Sequence, residues 1–328
     1  LTVEDQTMHV ESAEQEVLGA LAGWLREGQR AWLCTIVEIS GSSPRPLGSI
    51  MACAADGRVC GSLSGGCVEE DLIERLRAGE LASAGPVLRT YGLSAEENER
   101  LGLPCGGRLG VVAEPCAAAT HLAHIEELLG GLAARRCVRR ELVLDGGACR
   151  ADRVDAVEPL TFADGVLRHT LGPRFRLLLV GAGQVAQCVA TLATMLDYRV
   201  VVCDPRAEQI GAWRGPEVEM VSRFPDDFLR DAGVDRHTAI VTLTHDPRID
   251  DMALMEALNL DAFYVGALGS ERTSAKRRER LRELEVPEER IARLHAPVGL
   301  SIGSKRPMEV AIAILAQLIA LRRAEPGA

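Results

Sequence analysis

The amino-acid sequence predicts an α/β protein of two domains: an N-terminal mixed α+β domain over 1–171 and a C-terminal Rossmann-type doubly wound parallel sheet over 172–328. Three observations carry this. A chain of 328 residues is long enough to bury two cores of ordinary size. Its second half alternates continuous apolar runs with amphipathic stretches, as a parallel sheet covered on both faces requires. Its first half carries instead hairpin turns and segments dense in Gly, Ser and Pro.

The first domain opens with a predicted helix from about Val10 to Glu27, whose Val17, Leu18, Leu21, Trp24 and Leu25 recur at helical spacing. A strand-like run, Ala31 to Ile39, follows. Residues 41 to 66 hold GSSPRPLGS, a hairpin signal at Asp56-Gly57, and GSLSGG, all of which mean tight turns. A helix is predicted from Cys67 through CVEEDLIERLRAG, with Val68, Leu72, Ile73 and Leu76 on the buried face. Strands are expected at Val87 to Tyr91 and in LGVVAE, either side of a polar loop ending in GLPCGG, then a helix near Leu122 to Ala133. Strands Val138 to Leu144 and Cys149 to Val157 flank the turn Asp145-Gly146-Gly147. The boundary is placed near Gly172-Pro173.

In the second domain, RFRLLLVGAGQVAQCVATLATMLDYRVVVCDPR reads as an apolar strand, a glycine turn, a helix, and a second apolar strand ending in an acid. Strand-like runs recur at Val218 to Val221, Thr238 to Thr242 and Ala262 to Val265. Gly181-Ala182-Gly183-Gln184-Val185-Ala186 matches G-x-G-x-x-[GA] in the strand-to-helix context that makes the pattern informative. Gly181 allows the turn, Gly183 lets a pyrophosphate approach the backbone, and the amides of Gln184 and Val185 open the helix toward it. Asp204 lies 204 − 183 = 21 positions after the second glycine, where an acid can accept hydrogen bonds from a ribose. Arg206 could instead meet a ribose phosphate, so NAD(P) and other phosphate-bearing ligands both remain open.

Ligands of such sheets lie beyond the carboxyl ends of the strands, and the residues there are chemical. Thr244, His245 and Asp246 follow one strand, with Asp250 and Asp251 shortly after. His245 and Asp246 could move a proton or ligate a metal, or Asp246 and Asp250 could simply cap the next helix. After the next strand, Gly266, Gly269 and Ser270 open a helix that carries Arg272, Lys276, Arg277 and Arg278, a candidate anion site; from Lys276 onward the basic side chains could instead form a solvated helix face. The glycine-rich stretch from His295 to Arg306 suggests a ligand loop.

Two cysteines sit among glycines. Cys67 follows Gly65-Gly66 at a predicted helix start, and Cys105 precedes Gly106-Gly107-Arg108. A thiolate in such a loop can attack, carry a sulfane sulfur or hold a soft metal; alternatively both thiols merely pack. Cys34, Cys137, Cys188 and Cys203 read as small buried apolar residues. The total of 10 is scattered, with no CxxC pair and no His at zinc-ligand spacing from a Cys pair, so neither disulfides nor a structural zinc is expected.

Composition excludes several functions. A net charge of −10 argues against a nucleic-acid partner. The opening residues are acidic and no apolar run approaches a span of about 20 residues, so neither export nor a membrane is expected and a cytoplasmic location is.

GSSPRPLGSIM, GSLSGGCVEEDL and GLPCGGRLGVVAEP in the first domain, then VGAGQVA, CDPR, THDPRIDD, YVGALGS and HAPVGLSIGS in the second, resemble the XdhC/CoxI family. These are maturation factors for molybdenum hydroxylases such as xanthine dehydrogenase and carbon monoxide dehydrogenase. Ser301 departs from the pattern, standing where the family's loop reads Asp. The resemblance implies that the chain binds molybdenum cofactor, as molybdopterin or its cytosine dinucleotide form. It would protect the cofactor while a cysteine desulfurase supplies sulfur and deliver it to a hydroxylase apoenzyme. Cys67 or Cys105 would face the molybdenum, Arg45 would join the cofactor site, and a homodimer is expected. Two other readings stand beside it: an NAD(P)-dependent oxidoreductase acting on a small substrate in a cleft between the domains, and a nucleotide sensor without chemistry.

Overall fold

The computed structural model of the chain describes residues 12–41, 45–94, 96 and 107–324. These divide into two compact units, one ending at Pro173 and the other beginning at Arg174.

In the first unit, Ser12 starts helix Ala13–Arg26 with a reciprocal cap: its hydroxyl accepts from the Gln15 N–H, and Gln15 Oε1 accepts from the Ser12 N–H, both at 3.2 Å. The stripe Val17, Leu18, Leu21, Trp24 and Leu25 is the buried face. Strands β1 (Ala31–Ser40), β2 (Ile50–Ala54), β3 (Val59–Gly61), β4 (Val87–Tyr91) and β5 (Arg108–Cys116) form an antiparallel sheet in the order β3-β2-β1-β5-β4. Residues Ala31 to Val37 of β1 are all buried, because the sheet is covered on both faces. Ala31 and Leu33 face the cluster formed with helices Ala13–Arg26 and Ala118–Ala133. Trp32, Cys34 and Ile36 face Val68, Leu72 and Leu76 of helix Cys67–Ala78. Each such aliphatic side chain stabilises the fold by about 1.5–3 kcal/mol through burial. A second antiparallel sheet, β7-β6-β9-β8, comprises β6 (Cys137–Val143), β7 (Cys149–Val154), β8 (Thr161–Ala163) and β9 (Val166–Leu171).

The second unit is a six-stranded parallel sheet of β10 (Arg176–Val180), β11 (Arg199–Cys203), β12 (Glu219–Val221), β13 (Thr238–Thr242), β14 (Tyr264–Ala267) and β15 (Leu294–His295), in the order β12-β11-β10-β13-β14-β15. In sequence order within the unit this is 3-2-1-4-5-6, the doubly wound arrangement, with its switch point between β10 and β13. Leu177 and Leu179 of β10 face the cluster made with helices Gln184–Met195 and Pro307–Ala324. Leu178 and Val180 face the opposite one, with helices Pro225–Asp231, Pro247–Ala257 and Glu271–Glu283. That two-sided cover is why β10 and β13 are apolar at every position but the threonines at the ends of β13 and Arg176.

Two expectations need correction. The strand expected at Ala262 to Val265 lies at Tyr264–Ala267, with Gly266 inside it rather than opening the turn. A Cβ on Gly266 would lie 2.6 Å from the Tyr264 ring and 2.7 Å from Val298, so this glycine answers to internal packing. Arg277 and Arg278 do not belong to a solvated basic face. Arg277 is 2% exposed, and Arg278 donates to the carbonyls of Leu294 and Ala296 at 3.3 and 2.8 Å, tying its helix to the sixth strand.

Candidate functional site

The described site residues fall in two groups, one in each unit. In the second unit they gather at the switch point. Gly181 has φ +110°, and a Cβ there would lie 2.9 Å from Thr244 Cγ2 and 3.0 Å from the Thr244 amide nitrogen, so no side chain fits where the turn passes the end of β13. Ala186 is fully buried, which brings helix Gln184–Met195 close to the sheet. Gly183 differs. Its backbone, at φ −77° and ψ −177°, suits any residue, and a Cβ would meet nothing within 4 Å. Neither strain nor crowding within the chain calls for glycine here; the space before it is open. No side chain caps the helix, so its first amides, including those of Gln184 and Val185, are candidates to meet an anion. The Val185 side chain itself packs against the core.

Asp204 is fully buried at the end of β11 and turned inward. Its Oδ2 accepts from the Ala182 N–H at 2.9 Å and from Arg206 Nη2 at 2.8 Å, and its Oδ1 accepts from Arg206 Nε at 2.9 Å and the Arg206 N–H at 3.0 Å. Burial alone would raise its pKa; the Arg206 guanidinium and these amides outweigh that and hold it below the usual carboxylate range. The acid expected to greet a ribose therefore braces the glycine turn, with Arg206 as its counter-ion.

Beyond β13 and β14 lies a buried network that spacing alone does not reveal. Asp250 Oδ1 accepts from Thr244 Oγ1 at 2.7 Å and from the Thr244 N–H at 3.2 Å, while its Oδ2 accepts from Arg277 Nη2 at 3.0 Å. Arg277 also donates to the Leu268 carbonyl at 3.0 Å, and Arg280 holds Asp251 through two bonds of 2.5 and 3.1 Å. The ends of both strands are thereby fixed by one ion-pair network. Burial outweighs these partners for Asp250 and pushes its pKa up. Ser270 caps helix Glu271–Glu283 by accepting from the Thr273 N–H at 3.2 Å, and Gly269 lies against Thr273 and Arg277; Arg272 and Lys276 are exposed.

His245 is exposed with φ +63°. Asp246 caps helix Pro247–Ala257 and takes three bonds from Arg248, whose guanidinium holds its pKa down at about 2. A carboxylate so committed to its own helix start orients the turn and leaves His245 presented on it.

The first unit contributes a different device. The carboxylate of Glu69 accepts from the amides of Leu63, Ser64, Gly65 and Gly66 at 3.0, 2.6, 2.5 and 2.9 Å. It also accepts from the hydroxyl of Ser62 at 2.9 Å and from that of Ser64. Burial opposes this charge, but the surrounding donors hold its pKa at about 2. The whole loop is wrapped around one side chain, and the product is an exposed Cys67 at the first position of helix Cys67–Ala78. Gly65, at φ +77°, makes the bend, and a Cβ on Gly66 would meet open space. In the sequence Glu69 reads only as a negative charge near Cys67; its position three residues into a helix after a Ser-Gly run is the signal that points to its bracing role. Arg45 is exposed, and Gly107 passes 3.2 Å from where a Cβ on Gly41 would sit. Cys105 and Gly106 lie outside the described residues. Cys34, Cys53, Cys116, Cys137 and Cys203 are buried thiols, and burial pushes Cys53 up to about 11 and Cys203 to about 12.

Comparisons with known proteins bear on both units. A family model of the XdhC Rossmann domain matches residues 177–318, and one of the XdhC and CoxI family matches residues 24–92. A probable xanthine dehydrogenase subunit from Bacillus subtilis is 28% identical over 91% of this chain and 95% of its own length. The molybdenum cofactor insertion chaperone PaoD of Escherichia coli is 29% identical over 91% of this chain and 85% of its own. A crystal structure named as a xanthine dehydrogenase from Bacillus halodurans superposes with a TM-score of 0.76 at 28% identity, covering 95% of this chain and 96% of that one. With both its glycine-cysteine unit and its Rossmann unit matched, the chain belongs to the XdhC and CoxI family.

Proposed function

We propose that this chain is a carrier that binds molybdenum cofactor, protects it and inserts it into the apoenzyme of a molybdenum hydroxylase of the xanthine dehydrogenase type. Its kinship with an insertion chaperone supports this. The observation that carries it is the state of the nucleotide turn: the phosphate cradle at Gly183 is open, while Asp204 is committed to Arg206 and Ala182. A ligand held by its phosphate suits that arrangement better than one recognised through a ribose diol. Molybdenum cofactor carries such a phosphate in either its molybdopterin or its cytosine dinucleotide form. The second reading, NAD(P)-dependent oxidoreduction, is favoured by the strand order alone and requires Asp204 to release Arg206.

In this reading the amides of Gln184 and Val185 hold phosphate, and the Cys67 thiol, on the loop braced by Glu69, meets molybdenum. Gly269, Ser270 and Arg272 offer a further anion contact. Sulfur is supplied while the cofactor is bound, from a cysteine desulfurase, and the carrier acts as a homodimer. The carrier breaks no bond of its own; affinity that can be surrendered to the apoenzyme is the required property. The test is transfer from the loaded protein to a cofactor-free hydroxylase, with NADPH oxidation followed in parallel. Hydroxylase activity should appear, and should fall at least about tenfold with Cys67→Ser if that thiol steadies the cargo. NADPH turnover with a small acceptor, without transfer, would replace this reading by the second.

A further inference from the structure

The first unit contains a cluster that the cofactor reading does not use. Glu114 on β5, His121 on helix Ala118–Ala133 and Cys149 at the start of β7 bring a carboxylate oxygen, an imidazole nitrogen and a sulfur within 4.8 Å of one another. They come from three elements and are separated in sequence, so no spacing pattern betrays them.

Packing alone does not explain the buried carboxylate of Glu114. Glu114 is 2% exposed, and a carboxylate is costly to bury without strong donors. Its Oε2 has one, Nη2 of the buried Arg140. Its Oε1 has the Cys149 Sγ–H at 2.9 Å, a weak donor for a buried charge. His121 Nδ1 accepts from the N–H of Ala117, the N-cap of its helix, at 3.1 Å and lies 2.6 Å from Thr120 Oγ1, so Nδ1 holds the ring's lone pair and Nε2 its proton. One turn along the same helix, Nε2 of His124 is buried with no hydrogen-bond partner among the described residues.

We propose that Glu114, His121 and Cys149 bind a divalent transition-metal ion of zinc type, which joins both sheets of the first unit to the helix between them. The donor set, one carboxylate, one imidazole and one thiolate, suits a cation of borderline softness. Binding releases the Cys149 thiol proton to solvent, and the ion takes the His121 Nδ1 lone pair from the Ala117 N–H and the Thr120 hydroxyl, both at exposed positions where water replaces it. At ordinary zinc–ligand lengths the sulfur and Oε1 would stand about 3.6 Å apart, so the pair need open only slightly. Arg140, on the other carboxylate oxygen, acts as a positioning residue that orients Glu114.

The experiment is a titration of the metal-free full-length chain with cobalt(II), read by the thiolate-to-cobalt charge-transfer band, followed by displacement with zinc. One cobalt per chain is expected, with the band lost in Cys149→Ser, retained in Cys67→Ser, and affinity at least about tenfold weaker in His121→Ala. Circular dichroism establishes that each variant is folded; should Cys149→Ser fail that check, the half-buried His121 position decides. Absence of the band in the wild-type chain, or equal affinity in His121→Ala, overturns the proposal.

Discussion

At the scale of single residues, two glycines of one turn have opposite reasons to exist. Gly181→Ala places a Cβ against Thr244 at a φ of +110°, and should cost about 1–3 kcal/mol in thermal or denaturant unfolding. Gly183→Val meets neither strain nor neighbours; it should leave unfolding nearly unchanged while removing affinity for a phosphate-bearing ligand in a binding titration. Glu69 makes a pH prediction. Its pKa is lowered on folding from the ordinary 4.5 to about 2, so its stabilisation is fully present above 4.5 and is lost as pH falls toward about 2. Amide exchange at Leu63 to Gly66, corrected for intrinsic rates, should accelerate over that window, and Glu69→Gln should show the faster exchange already at neutral pH. The glycines are legible in sequence because backbone demands follow chain position. The direction of Asp204 is not: a spacing of 21 from Gly183 says where an acid falls, while Arg206 and the Ala182 amide decide which way it faces.

At the scale of elements, strands β10 and β13 are readable because burial on both faces leaves an uninterrupted apolar run. The sequence misplaces β14 because Gly266 reads locally as a turn, whereas its absent side chain makes room for Tyr264 and Val298. The basic helix Glu271–Glu283 misleads for a related reason. Its charges look alike in sequence, yet Arg277 reaches inward to Asp250 and Leu268 while Arg272 and Lys276 face water. Arg277→Met should therefore destabilise the second unit by about 3–5 kcal/mol in denaturant unfolding, since it strands a buried carboxylate. Pairing it with Asp250→Asn should recover part of that loss, which a pair contributing independently would not do.

At the scale of the whole molecule, the first unit carries an exposed thiol at Cys67, and the second carries a glycine turn with open space at Gly183, where we propose that phosphate binds. Recognition of an NAD ribose needs a free acid, which Asp204, bonded to Arg206 and to the Ala182 amide, does not offer in this arrangement. The motifs make the family legible at this scale, since several appear in order along nearly the full length. The most direct measurement is anaerobic incubation of the full-length chain with molybdenum cofactor, followed by removal of free cofactor and counting of molybdenum and pterin per chain. The account predicts near-stoichiometric retention by the wild type and loss in Gly183→Val. No retention by the wild type, alongside saturable NADPH binding, would contradict it.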